Sequence, residues 1–215
     1  MSWLFHFWRS LTRGTRVLLV LWVGGSLAGF LARATIALSP FPALALDSSA
    51  VTGFQPWRLI TYALVTNDPL NAILGALFLV FLGGAVERVW NLGFFLGYYL
   101  GCTIASGLAI YFLASAAMPT FTHAGALLGL LVAWHALNRS QRFQLFGGPE
   151  ISATASAAIT ALCILLPALA VGWRFVLALV CGASAGWIGL RIHGALGGQR
   201  ANRAADRPRM RRLEL

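Results

Sequence analysis

Apolar residues occur in long runs that are separated by short polar segments. The run from Leu70 to Val86 contains no charged residue and ends abruptly at Glu87 and Arg88. A helix rises 1.5 Å per residue, so about 20 apolar residues cross the ~30 Å hydrocarbon core of a bilayer. The pattern predicts six such spans, at approximately 17–37, 70–86, 93–114, 122–137, 153–171 and 175–190. We therefore expect an all-α membrane protein built as a bundle of six transmembrane helices.

The segment 38–69 between the first two spans differs from both a span and a disordered linker. Gln55 and Arg58 interrupt its apolar residues, while Trp57 and Tyr62 are of the types that favour the headgroup layer. We therefore predict an interfacial, structured first outer loop. At its end, Asp68 and Pro69 predict the start of the second span, because an acceptor side chain suits the cap position and proline suits the first helical position.

Two spans carry features that predict how they pack. The third has a small residue at every fourth position, namely Gly93, Gly97, Gly101, Ala105 and Ala109. Lipid gives helices no hydrophobic reason to associate, so close contact between small residues predicts a central place for this span. The fourth span is short for a helix that contacts lipid, which predicts that its neighbours shelter it.

Composition supports a membrane protein and defines the ends of the chain. Of 215 residues, 59% are hydrophobic and 10% charged, whereas an ordinary soluble domain has about 25% charged residues. The net charge of +10 comes from sixteen arginines against six acids. We divide the chain into a cytoplasmic amphipathic arm (1–16), a membrane domain (17–192) and an Arg-rich tail (193–215) that we expect to be disordered. Beside a membrane, such a tail favours anionic lipid headgroups over nucleic acid as partner.

The arginines also predict orientation. With the amino end inside, six spans leave thirteen arginines on one side and only Arg33, Arg58 and Arg174 on the other. Because cytoplasmic loops are enriched in basic residues, we expect both termini to be cytoplasmic. The arginine-rich composition suggests a multi-pass protein of a bacterial inner membrane.

Short motifs on the six predicted spans and the first outer loop resemble those of the rhomboid family of intramembrane serine proteases. The resemblance covers roughly 54–190 and is carried by Trp57-Arg58, by Glu87-Arg88 with Trp90, by Gly125-Ala126 with Gly129, and by Gly182 with Ala185-Gly186. It implies a serine nucleophile on the fourth span and a histidine base on the sixth, because a hydroxyl needs a base to become nucleophilic. It also implies an oxyanion hole to which a His and an Asn on the second span contribute.

The positions that carry the chemistry differ from the family's pattern. The resemblance places Ala124 at the nucleophile position and Leu179 at the histidine position, and it places Asn71 and Gly75 at the second-span positions. Alanine has no oxygen, and leucine cannot accept a proton. Loss of a nucleophile or base in a serine protease costs about a million-fold in rate. We therefore interpret the chain as a rhomboid-like protein without catalytic residues. The sequence leaves open whether it is an enzyme.

Other side chains offer weak substitutes. A reversed pair of His123 and Ser184 is disfavoured, because Ser184 lies about 7.5 Å farther along its helix than Leu179 and is rotated by about 140° from it. We expect His123 to bond to loop backbone or to water. The scattered histidines predict no metal site and no cofactor. The three cysteines have no paired spacing and are interpreted as small buried residues: Cys102, Cys163 and Cys181.

Three functional hypotheses are compatible with this sequence pattern. The favoured hypothesis is an adaptor or quality-control protein that binds the membrane helices of client proteins near the second and fifth spans, beside the small residues at 153–158. The alternative is an active rhomboid-type endopeptidase with a displaced nucleophile. A transporter-like or architectural role is less favoured, because no acid lies deep inside a predicted span.

Overall fold

The computed structural model describes residues 6, 8–35, 41–46, 55–66, 68–113, 120–144 and 150–210, with side chains for all of these except 32–35, 41–42, 143–144 and 195–210. The helices are α1 (Arg13–Thr35), α2 (Phe41–Leu44), α3 (Arg58–Thr61), α4 (Pro69–Phe78), α5 (Gly84–Glu87), α6 (Leu92–Leu113), α7 (Ala124–Asn138), α8 (Ala153–Val171) and α9 (Trp173–Met210). A π-helical turn, Leu79–Gly83, joins α4 to α5. Strands β1 (Arg142–Gln144) and β2 (Glu150–Ser152) form an antiparallel pair in which the backbone of Phe143 is in register with that of Ile151.

The prediction of an all-α membrane protein is confirmed. Within the described residues, 5 helical segments are long and apolar enough to cross a membrane: Arg13–Leu31, Pro69–Glu87, Leu92–Leu113, Ala153–Val171 and Trp173–Gly194. The 15-residue α7 is shorter, at about 22 Å. Its residues 125–131 are buried, so its neighbours shelter it as the sequence predicted. A sixth crossing by α7 stays a prediction.

Helix α6 is central, but not through the stripe of small residues. Gly93, Gly97 and Gly101 are exposed, and a Cβ atom at Gly97 or Gly101 would meet nothing within 4 Å. The buried face of α6 instead carries Phe95, Tyr98, Tyr99, Cys102, Thr103, Ser106, Gly107 and Ile110. The predicted packing of the stripe is therefore wrong at its first three positions, because large aromatic residues of α6 fill the interior.

The first outer loop is packed into the bundle. Tyr62 is 1% exposed, and its hydroxyl donates to the carbonyl of Thr103 on α6 at 2.8 Å. Burial raises the pKa of Tyr62, so the phenol stays protonated and able to donate. Arg58 is also buried and donates to the carbonyl of Ala45 at 3.4 Å, which joins the two described parts of the loop. Trp57 is 51% exposed, as its amphipathic ring would be in a headgroup layer.

The start of α4 forms as the sequence predicted. Asp68 is the cap residue and accepts the N–H of Leu70 at 3.0 Å, and Pro69 occupies the first position. The π turn that follows was not predicted, and it includes Gly83. A Cβ atom at Gly83 would lie 3.2 Å from the hydroxyl of Thr15, so the missing side chain lets this turn approach α1 closely.

A buried carboxylate joins the end of α5 to the start of α1. Glu87 is 7% exposed and accepts the N–H groups of Gly14 and Thr15 at 2.6 and 2.7 Å. It also accepts the hydroxyls of Thr12 and Thr15. These N–H groups lie in the first turn of α1, where the helix itself supplies no acceptor and the dipole favours an anion. Glu87 thus fixes α1 against α5, while the neighbouring Arg88 is exposed.

Trp90 packs at the same end of the bundle as Glu87. It is 8% exposed, and its ring packs edge-on against Phe94 and Tyr98, with ring centroids 4.7 and 5.0 Å apart. The ring of His193 stacks on Phe94 at 4.1 Å. This aromatic cluster joins the start of α6 to α9.

Helix α9 is longer than the predicted sixth span. It continues to Met210, so the backbone is helical through much of the tail that was expected to be disordered. Alanine and arginine have high helix propensity and extend a helix that packing has already started. The division of the chain into an arm, a membrane domain and a tail stays a prediction.

Replacing Glu87 should separate α1 from α5. We expect Glu87→Ala to lower the free energy of unfolding by about 3 kcal/mol, because several buried donors lose a charged acceptor. Equilibrium unfolding in detergent micelles measures this loss. Arg88→Ala, at the adjacent exposed position, is the control and should have little effect. Equal stability of the two variants would contradict the role assigned to Glu87.

Candidate functional site

A cavity of about 360 Å³ lies between α4 and α8. Helix α4 packs on α1, and the π turn after it packs on α7, whereas α8 packs on α7 and α9. The cavity occupies the gap between these two groups of helices, with the segment 120–123 at one end and Phe175 of α9 on its wall. Its lining is mainly apolar, with a few polar side chains among the apolar residues.

The structure brings the four predicted chemical positions to this one cavity. Ala124, the first residue of α7, and Leu179 of α9 both line it, as do Asn71 and Gly75 of α4. Leu179 is fully buried, and the amide of Asn71 donates to the carboxylate of Asp68 at 2.8 Å. The two positions that the resemblance assigns to a nucleophile and a base therefore share a wall, with aliphatic side chains at both.

Glycine contacts between α7 and α9 hold this wall in place. A Cβ atom at Gly182 would lie 2.7 Å from the carbonyl oxygen of Gly125, and one at Gly186 would lie 3.0 Å from the Cα of Gly129. The hydroxyl of Tyr98 also donates to the carbonyl of Gly129 at 2.7 Å. Backbones this close leave no room for a side chain at either crossing point.

Ala126 and Ala185 complete the small residues that the resemblance singled out. Ala126 is 1% exposed and belongs to the core around α7. Ala185 is partly buried beside Gly186 on α9. Each is the sequence neighbour of a glycine at the α7–α9 crossing, and their assignment as a family motif stays a prediction.

His123 is the most unusual side chain of the cavity. It precedes α7, is 9% exposed, and its ring centroid lies 3.8 Å from that of Trp22 on α1. A Cβ atom at Gly75 would lie 2.2 Å from its Nε2, so the imidazole fills the space that a side chain at Gly75 would occupy. Both ring nitrogens are shielded from solvent, and neither has a hydrogen-bond partner in the part of the chain that the structure describes. The predicted bond to loop backbone is therefore not formed there.

Ser184 does not form a pair with His123. It is exposed on α9, and its hydroxyl donates to the carbonyl of Val180 at 3.0 Å. A serine or threonine in a helix often bonds to the carbonyl four residues before it, which satisfies the hydroxyl without any functional partner. The structure therefore separates the two residues of the reversed pair.

The sequence interpretation named the fifth span as a binding surface but missed the part of α8 that lines the cavity, from Cys163 to Val171. Cys163 was expected to be buried, but it is exposed and lines the cavity together with Pro167. Proline has no N–H, so Pro167 cannot donate to the carbonyl of Cys163 four residues before it. In a membrane, such a carbonyl needs another donor. A proline in the middle of an apolar span was the signal that could have identified this wall.

The residues at 153–158, which the sequence predicted as the entry surface for a client, do not line the cavity. Ala153 is fully buried at the start of α8, and Ala157 packs against the core. The cavity instead contacts the later part of α8, from Cys163 to Val171.

A family model described as "Eukaryotic integral membrane protein (DUF1751)" matches residues 16–205. The chain belongs to this family of integral membrane proteins. The match extends from α1 into α9 and thus includes every element that forms the cavity. No curated protein matches the chain. The family is described as eukaryotic, so the expected bacterial inner membrane has no support, whereas a multi-pass membrane location does.

Adding a methyl group at the α7–α9 crossing should destabilise the bundle. We expect Gly182→Ala to cost about 1–3 kcal/mol, because the added Cβ overlaps the backbone of Gly125, which cannot move aside as a flexible side chain would. Gly97→Ala is the matched control, since its methyl group would meet no other residue. Unfolding in detergent checks both variants. Equal losses at the two positions would contradict the assigned crossing.

Proposed function

We propose that this family member is a rhomboid-like protein that binds the membrane helix of a client protein without cutting it. The cavity between α4 and α8 is the binding site. The observation that carries the proposal is the pair of aliphatic side chains, Ala124 and Leu179, on the wall where the resemblance places a nucleophile and a base. A site that receives a helix but lacks both groups retains binding and loses acyl transfer.

The chemistry of the wall supports binding rather than hydrolysis. Peptide cleavage needs an oxygen or sulfur nucleophile held within hydrogen-bond reach of a base. The one imidazole on the wall, that of His123, has no such partner among the residues that the structure describes. Ser184, the alternative nucleophile, bonds to its own helix.

The packing of α8 supports lateral entry of a client. In its helix only Ala153, Ile164 and Ala168 are buried, so α8 is held to the bundle along a narrow face. The cavity lies beside its later half. A client helix that enters from the bilayer would contact this half of α8 on one side and α4 on the other.

The arginines give this protein a proposed orientation. The side of the membrane with thirteen arginines is the cytoplasmic side, which holds both termini. The Arg-rich tail contacts anionic lipid headgroups there. Client recognition then takes place nearer the opposite face, where α4 begins and α8 ends.

Photo-crosslinking from α8 tests client binding. We expect a photoreactive amino acid at position 163 to crosslink membrane proteins in native membranes, because this position lines the cavity. The same amino acid at Leu162, which is exposed and does not line the cavity, is the matched control. Crosslinks of equal yield and identity from both positions, or none from 163, would contradict the proposal.

A fluorophosphonate probe tests the alternative of an active protease. We expect no covalent labelling of the purified protein, because the probe reacts with an activated serine. Labelling that is abolished by replacing a single serine or threonine would show that the protein is an enzyme.

A further inference from the structure

We propose that His123 selects clients whose membrane helix carries a neutral hydrogen-bonding side chain: Ser, Thr, Asn or Gln. This inference rests on the proposed function, because it names the chemical class that the same cavity receives. It starts from the imidazole, which is more than nine-tenths buried and has no hydrogen-bond partner among the described residues.

A buried imidazole without partners among the described residues is an incomplete arrangement. Buried polar groups in proteins are almost always hydrogen-bonded, and hydrocarbon offers no water as a substitute. A neutral imidazole both donates and accepts. Hydroxyl and amide side chains also do both, so they complement it, whereas an all-aliphatic helix leaves both nitrogens unsatisfied.

The part of α8 that lines the cavity carries a second polar group. Pro167 leaves the carbonyl of Cys163 without its helical donor, and both residues line the cavity. This carbonyl accepts but cannot donate. An occupant that can donate to α8 and also bond to His123 therefore fits the cavity better than an aliphatic one does.

The imidazole lies at the boundary between the cavity and α1. His123 lines the cavity, its ring contacts Trp22, and it occupies the space beside Gly75. No hydrogen bond to a described residue holds the ring in this position. A polar client can therefore gain a hydrogen bond from the imidazole, and an apolar client gains none.

The size and place of the cavity favour a helix side chain over a lipid. The cavity opens between two transmembrane segments and has a volume of about 360 Å³, enough for a few side chains along one face of a helix. Its lining residues on α4 and α8 belong to two segments that are long and apolar enough to cross a membrane, so a membrane helix that approaches between them would contact both.

The test uses the full chain in nanodiscs with Cys163 as its only cysteine, Cys102 and Cys181 being replaced by alanine. The probes are single-span peptides of leucine and alanine that carry one photoreactive residue and either an Asn or a Leu at a scanned position. Crosslink yield to the protein is measured for each peptide. We expect the Asn peptide to crosslink about three to ten times more than the Leu peptide at one scanned position. This ratio corresponds to the free energy of one buried hydrogen bond between helices in a membrane.

Variants of His123 separate selection from binding. His123→Leu should reduce the Asn-to-Leu ratio to about one while both peptides still crosslink, and His123→Gln should restore part of the preference because it donates and accepts. Circular dichroism and gel filtration confirm the fold of each variant. If His123→Leu does not fold, the comparison of peptides on the unmodified His123 decides alone.

The outcomes distinguish the two proposals. Equal crosslinking of Asn and Leu peptides to the protein with His123 would overturn the selection by His123 and leave client binding intact. Absence of crosslinking by every peptide would overturn the proposed function itself. A photoreactive lipid that labels Cys163 and displaces the peptides would assign the cavity to lipid and refute both.

Discussion

The contact between the backbones of α7 and α9 is the constraint on which the candidate site depends. The backbones of Gly125 and Gly182 are in direct contact. Ala124 is the residue before Gly125, and Leu179 lies about one helical turn before Gly182. The separation of the two helices therefore sets the separation of the two wall positions. The distance between α7 and α9 is short because lipid contributes nothing to helix association, so that only close van der Waals contact holds the pair.

Hydrogen bonds of buried polar groups also join elements of the bundle. Glu87 satisfies the first turn of α1, Tyr62 bonds to α6 across the embedded loop, and Tyr98 bonds to α7. Each of these contacts joins two elements that are distant in sequence. His123 departs from this pattern, since it has no such bond within the described part of the chain. A group left unsatisfied at membrane depth is costly, which is why we assign it to binding rather than to stability.

The helices around the cavity are held to the bundle to different degrees. The backbones of α7 and α9 pack closely, while α8 is held along a narrow face. This difference is one support for the proposed binding of a client helix beside α8. The family description supports a membrane role and names no reaction.

Local signals in the sequence predicted most of the helices, whereas contacts between distant residues decide which helix faces meet. Long apolar runs, Asp68 with Pro69, and the short fourth span predicted the helices well, because these signals depend on local geometry and on the thickness of a bilayer. The face of α6 could not be predicted: spacing marked Gly93, Gly97 and Gly101, but the aromatic residues face inward. Likewise, the sequence placed Ala124 and Leu179 at altered positions through resemblance alone. Their meeting at one cavity, and the lack of a partner for His123 among the described residues, depend on contacts between residues far apart in the chain, which no local pattern encodes.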